Sequence, residues 1–333
     1  MGMGTFINSA RIWAMNRLDR AVQRAKKITV PFFDGLPLYD VALFFWKGIV
    51  DGAITTRASA IAFNFILAVF PAIIFLFTLI PYIPIDNFQI QLMGLIQSVL
   101  PDNAYIAIRG TIQDIVTQPR GSLLSVGFFA AFIFSTNSLV SVIVAFNNTI
   151  HAIETRSIVS LYLTAFGLSL ILTTLTTLSV ALITISQRGL EYLLANQFIR
   201  SDYVYYLLIA GKWLVILMLF FFAFAFLFYY GPARKMKFRF ISAGGSLATV
   251  LSILISVGFS FYINNFGRYN TLYGSIGTLI VVMLWFYFMA LSLLIGFELN
   301  ASIWSAQTHV NADLARQEES DNPTIQQFDN STI

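Results

Sequence analysis

The chain has 333 residues, of which 57% are hydrophobic and only 11% charged, with no Cys, two His and a formal net charge of +4. A mean hydropathy of +0.75 excludes a water-soluble globular domain, which would have to expose far too much apolar surface. The absence of Cys excludes a disulfide framework, a thiol nucleophile and any Cys-containing metal site.

In chain order, residues 1–30 read as a basic amphipathic helix, with Ile7, Ile12, Trp13, Met15, Leu18 and Val22 set between Arg and Lys. Such a helix either lies on an anionic leaflet or is simply solvated. Tyr39 to Val50 carries Phe44, Phe45 and Trp46 between Asp40 and Lys47. It is far shorter than the roughly 20 residues that cross a bilayer, so it is expected to be an interfacial elbow.

Six long apolar runs follow, Ala58–Ile80, Gly121–Phe146, Ile158–Ser186, Tyr206–Tyr230, Ile241–Ile263 and Ile276–Phe297. Lipid offers a backbone no hydrogen-bond partner, so each run is expected to be a transmembrane helix. The first contains Pro71, which removes a bond to the Leu67 carbonyl and marks either a gate or a static packing kink. The external segment 81–120 has prolines at 81, 84, 101 and 119 and an amphipathic stretch from Phe88 to Leu100, so short interfacial helices are expected there.

The second run places Ser135, Thr136, Asn137 and Ser138 consecutively near its middle. Four polar residues in a row cover the whole helix circumference, so at least one must face protein or water. Asn137 is the costly member and is expected to point inward near Asn64 or Pro71, as an interhelical hydrogen bond or as part of a pathway. The third run carries Ser169, Thr173, Thr176, Thr177 and Thr184, a hydroxyl stripe of the kind that supports close packing. The fourth has Lys212 in its first turns, able to snorkel outward. The fifth shows a small-residue face at spacing four, Gly244, Ala248, Ser252, Ser256 and Ser260, which permits a close helix approach.

Between the fifth and sixth runs, Asn264 to Ser275 gathers Asn265, Gly267, Arg268, Tyr269, Asn270, Tyr273 and Gly274. This segment reads either as a re-entrant closure of the outer end or as a simple hairpin turn. Beyond Trp304 the chain turns polar, and residues 304–333 are expected to be a disordered tail.

Charge placement orients the bundle. Fourteen of the twenty Lys and Arg, including Arg57, Arg156 and the Arg234, Lys235, Lys237, Arg239 loop, fall on the face that also holds both termini. Positive residues are retained in the cytoplasm, so that face is expected to be cytoplasmic. Arg57, Glu154 and Glu298 each sit at the inner end of a different run and are expected to form a charge cluster at that mouth, or else to be solvated separately. His151 and His309 stand far apart, with no metal-ligand spacing. No metal, no cofactor and no nucleic-acid partner is therefore expected, and no feature sets an oligomeric state.

The stretches RASAIAFNFILAVFP (Arg57 to Pro71), GSLLSVG (Gly121 to Gly127), AFNNTIHAIETR (Ala145 to Arg156), INNFGRYNTLYGSIGTLIVVMLWFYF (Ile263 to Phe288) and GFELNA (Gly296 to Ala301) together resemble the YihY/BrkB family of bacterial inner-membrane proteins, once labelled ribonuclease BN. The resemblance covers roughly residues 40–303 and implies six helices with cytoplasmic termini. Metal-dependent RNA hydrolysis needs clustered His and carboxylates, which this chain does not offer, so the old label is not carried over. The family's links to envelope integrity and virulence describe consequences without a mechanism.

The sequence thus predicts an all-α membrane protein. Residues 1–57 form a basic amphipathic segment and elbow, 58–303 a six-helix domain, and 304–333 a polar tail. Membrane lipids are the expected partners. The functional expectation is transporter-like, non-enzymatic handling of an amphiphilic envelope molecule, against a scaffold with no substrate. A large cavity reaching Asn137 favours the first and a fully packed core the second.

Overall fold

The computed structural model describes residues 33, 35–82, 90, 93–94, 109–110, 112–114, 118–149, 155–195, 202–233, 239–265 and 269–321. A short helix α1 (Leu38–Asp51) precedes α2 (Ile54–Leu79), which ends in a 3-10 turn (Ile80–Tyr82). Next come α3 (Gly121–Asn147), α4 (Ile158–Ala195), α5 (Asp202–Tyr230), α6 (Ala243–Asn265) and α7 (Tyr269–Asp321). Six of these helices, α2 to α7, are long and apolar enough to cross a membrane. The protein is an all-α, six-span membrane protein.

Each span packs on its neighbour in the chain, from α2 through to α7, and α7 returns to pack on α2. The result is a closed ring of antiparallel helices, with α1 laid against α7 outside it. Pro71 lies inside α2 without ending it, which a membrane helix tolerates.

The packing is uneven along the ring axis. One continuous buried cluster joins Ile54, Ala58 and Ile61 of α2, Val142, Ile143 and Phe146 of α3, Leu168 of α4, Phe228 of α5, Ala248 of α6 and Leu294 and Phe297 of α7. All of these lie in the half that carries Arg57, Arg156 and Glu298, here called the basic end. At its centre the Phe146 and Phe297 rings stack 4.2 Å apart, and Phe228 meets Phe146 edge-on at 5.7 Å. Towards the other end burial fades: Val282, Met283 and Leu284 are consecutive on α7 and all exposed. Three consecutive exposed positions span most of a helix circumference, so α7 is loosely surrounded there.

Two expectations are corrected. The segment expected as a loop over 264–275 is mostly helix: α6 runs to Asn265 and α7 begins at Tyr269. Tyr269, Asn270, Tyr273 and Gly274 therefore belong to α7, while Gly267 and Arg268 lie outside the described residues. At the edge of lipid a helical backbone satisfies its own hydrogen bonds, which outweighs the turn preference of Asn and Gly. The polar stretch after Trp304 is also helical as far as Asp321. It is rich in Ala, Gln, Glu, Leu and Arg, which propagate an existing helix well. At 1.5 Å per residue, α7 is roughly 80 Å long, so it projects well beyond a hydrocarbon core of about 30 Å. The basic helical pattern of residues 1–30 and most of 81–120 lie outside the described residues.

Candidate functional site

Arg57 occupies the first turn of α2 and Glu298 the middle of the long helix α7, and ring closure brings them together. Arg57 Nη1 donates to the Ala145 carbonyl of α3 at 2.8 Å, and Nη2 faces Glu298 Oε2 at 3.5 Å. One guanidinium thus ties three helices at the basic end. Glu298 is 0% exposed. Burying such a pair costs desolvation that the mutual attraction offsets only with good geometry. Glu154, expected beside them, lies outside the described residues, as does His151.

The pair is covered by α1. A Cβ built on Gly48 of α1 would overlap the Glu298 carboxylate, and one on Gly52 would stand 2.8 Å from Arg57 Nη2. At Gly48 the α1 backbone sits on the carboxylate itself, and at Gly52 a side chain would overlap the Gly48 carbonyl oxygen as well as crowd the guanidinium, so both positions favour glycine.

The mid-membrane polar residues are distributed as follows. Ser138 Oγ, next in the chain to Asn137, donates to the Asn64 carbonyl on α2 at 2.8 Å. Ser135 and Ser169 hydroxyls lie 3.4 Å apart, linking α3 and α4. Thr136 bonds the Phe132 carbonyl of its own helix, and Asn64 Nδ2 likewise bonds Ala60. Asn137 is half-buried. The hydroxyl stripe of α4 divides: Ser169 is buried, whereas Thr173, Thr176, Thr177 and Thr184 are exposed. Thr177 and Thr184 bond carbonyls of their own helix, which is how a hydroxyl faces lipid without loss.

Two asparagines join elements without having stood out in the sequence. Asn147 at the end of α3 accepts from the Ala233 backbone at 2.8 Å, and Arg156 Nη2 donates to the Gly231 carbonyl at 2.6 Å. Together they clamp the end of α5, whose terminal carbonyls lack helical partners. Asn300 Oδ1 accepts from Gly244 N at 2.8 Å, and its Nδ2 donates to Ser242 Oγ at 3.0 Å, so it caps the start of α6. Both lie within stretches that carry the family resemblance, AFNNTIHAIETR and GFELNA, and that was the available signal.

Among the described residues, two open-sided grooves lie between neighbouring helices. One, of about 410 Å³, lies between α3 and α4 and is lined by Phe132, Thr136, Ile158, Val159, Tyr162, Leu163 and Phe166. The other, of about 360 Å³, lies between α6 and α7 away from the basic end, lined by Ser256, Phe259, Ser260, Ile263, Val281, Val282 and Trp285. The α6 small-residue face explains the second. Gly244 and Gly296 bring the two backbones into contact, Ala248 is fully buried, and Ser252 bonds Ser292 at 2.8 Å. At Ser256 and Ser260 the same face is exposed and lines this groove.

Comparison with known proteins agrees with this architecture. A ribonuclease-like protein of Bacillus subtilis, YfkH, is 29% identical over 246 residues, covering 74% of this chain and 88% of that protein. UPF0761 membrane proteins of Stenotrophomonas maltophilia and Xanthomonas campestris are 24% and 23% identical, and the chain spans 65% and 60% of their lengths. No solved structure matches. The family described as Virulence factor BrkB matches residues 45–321, α1 to α7 nearly entire, and the chain belongs to that family.

Proposed function

We propose that the protein is a multi-pass protein of the bacterial inner membrane that moves or shelters an amphiphilic, lipid-like envelope molecule without converting it. In this reading the basic end and both termini are cytoplasmic, following the distribution of Lys and Arg. The carrying observation is the groove between α6 and α7, where the Ser256 and Ser260 hydroxyls enter an otherwise apolar lining. An apolar wall with a few polar groups suits a ligand with an acyl part and a polar part. The Phe146, Phe228 and Phe297 cluster closes the opposite half, so the groove does not continue as an open pore.

A scaffold with no substrate is the second reading, favoured by the tight pairing of α2 with α3 along their length: Arg57 on Ala145, Asn64 on Ser138, and Phe75 against Gly127. Proteoliposomes separate the two. Transbilayer exchange of a fluorescent phospholipid and of a lysophospholipid is expected to exceed that of empty vesicles about tenfold for at least one probe, equivalent to ~1.4 kcal/mol on the barrier. Joint Ser256→Leu and Ser260→Leu should fill the groove and return the rate towards that of empty vesicles, with unchanged elution in detergent. Protein-containing and empty vesicles exchanging both probes at one rate would leave the scaffold.

A further inference from the structure

The helix α1 has two faces with different partners. Val41 and Gly48 share one side and are buried, Gly48 directly against the Glu298 carboxylate. Val41 joins Phe33, Leu36, Ile303 and Ala306 in a small cluster of its own, separate from the main core. On the opposite side Leu43, Trp46 and Val50 are 56%, 68% and 57% exposed, with Lys47 between them. Only Gly52 and Ala53 separate α1 from the first span, so this apolar face is held at the bilayer surface. Trp and Lys are the side chains that settle in that zone, and the occupant of the face is the headgroup region of the membrane.

The connection is strained. Ala53 has φ 46 and ψ 45, a left-handed conformation that a residue with a Cβ resists. Beneath the covered region, Arg57 Nε and Ser302 Oγ are buried with no hydrogen-bond partner among the described residues. Buried polar atoms left unpaired favour any state that wets them. A strained hinge, a separate small core, and unpaired polar atoms beneath the helix all weaken the closed arrangement. The seating of Trp46 in the membrane and of Gly48 on Glu298 opposes them.

We propose that α1 is a membrane-docked lid, hinged at Gly52 and Ala53, that opens and closes over the Arg57–Glu298 pair at the basic end of the bundle. The lid links the state of the bilayer surface to the joint between α2, α3 and α7. It does not depend on what, if anything, the bundle carries.

The Cys-free chain makes the test direct. Ala306 is 1% exposed and sits in the cluster under α1, whereas Val310, one turn further, is 39% exposed. The full chain bearing A306C, or V310C as the exposed reference, is reconstituted in phosphatidylglycerol and phosphatidylethanolamine vesicles and labelled with a water-soluble maleimide. A306C is expected to label slowly relative to V310C. Adding Trp46→Gln, on an exposed position that leaves the core intact, should raise the A306C rate about tenfold, as a larger open population requires. Gly48→Ala, which pushes α1 off Glu298, should do the same while the protein elutes as before. A306C labelling as fast as V310C from the start, or Trp46→Gln leaving the rate unchanged in folded protein, overturns the lid.

Discussion

At the residue scale the Arg57–Glu298 pair is the most consequential contact of the bundle. A charge within a membrane helix persists only when matched or wetted, and here Arg57 divides its donors between Glu298 and the Ala145 carbonyl. Glu298→Gln leaves the guanidinium buried against a neutral amide. The expected loss is about 3–5 kcal/mol, the usual cost of breaking a buried pair from one side. Joint Arg57→Met and Glu298→Met removes both charges at similar volume and should recover most of that loss. Denaturant titration in detergent measures both. A single variant as stable as the parent would show that the pair is wet and contributes little. Both charged residues stand in the resemblance stretches and were legible as candidates. That they meet depends on α7 closing the ring back onto α2, which no local pattern encodes.

At the scale of elements, glycine contacts rank the helix pairs. A methyl added at Gly296 on α7 would overlap the Gly244 carbonyl oxygen and stand 2.6 Å from Ala248 Cβ; one at Gly127 on α3 would stand 3.1 Å from Phe75 N; one at Gly258 on α6 would meet nothing within 4 Å. Gly296→Ala must separate two backbones and should cost about 1–3 kcal/mol, the range for overpacking. Gly127→Ala asks for a shift of a few tenths of an ångström and should cost less. Gly258→Ala should be neutral or stabilising by up to ~1 kcal/mol, from helix propensity alone. Thermal unfolding in detergent gives the order, and a reversed order would mean that the α6–α7 contact is not the tight one. The stripe Gly244, Ala248, Ser252, Ser256, Ser260 was visible as a single small-residue face. Its division into a packed part and an open part was not, because spacing reports which face a residue shares and not how far the neighbouring helix follows it.

For the whole molecule, the buried clusters make the basic end of the ring the packed one. Uneven charge predicts the orientation: Lys235→Cys should label only from the cytoplasmic side of oriented vesicles, and Gln118→Cys only from the other. Labelling of both from the same side would break the six-span topology. The packed end holds the phenylalanine cluster, the ion pair and α1. The α6–α7 groove lies away from that end, where α2 and α3 still pack closely through Phe75 and Gly127, and opening at the basic end requires breaking specific contacts.

Length and hydropathy by themselves determined the class and the six spans, because a helix in lipid must satisfy its own backbone and so declares its length in consecutive apolar residues. The same reasoning placed the polar residues along each helix. Only the tertiary structure decided their partners: Ser138 on the Asn64 carbonyl, Glu298 beneath Gly48, and three phenylalanines from three helices in one cluster. Those outcomes depend on the rotation and closure of helices against one another. In a bilayer nearly every face is apolar, so the hydrophobic pattern that orients a soluble helix carries little of that information.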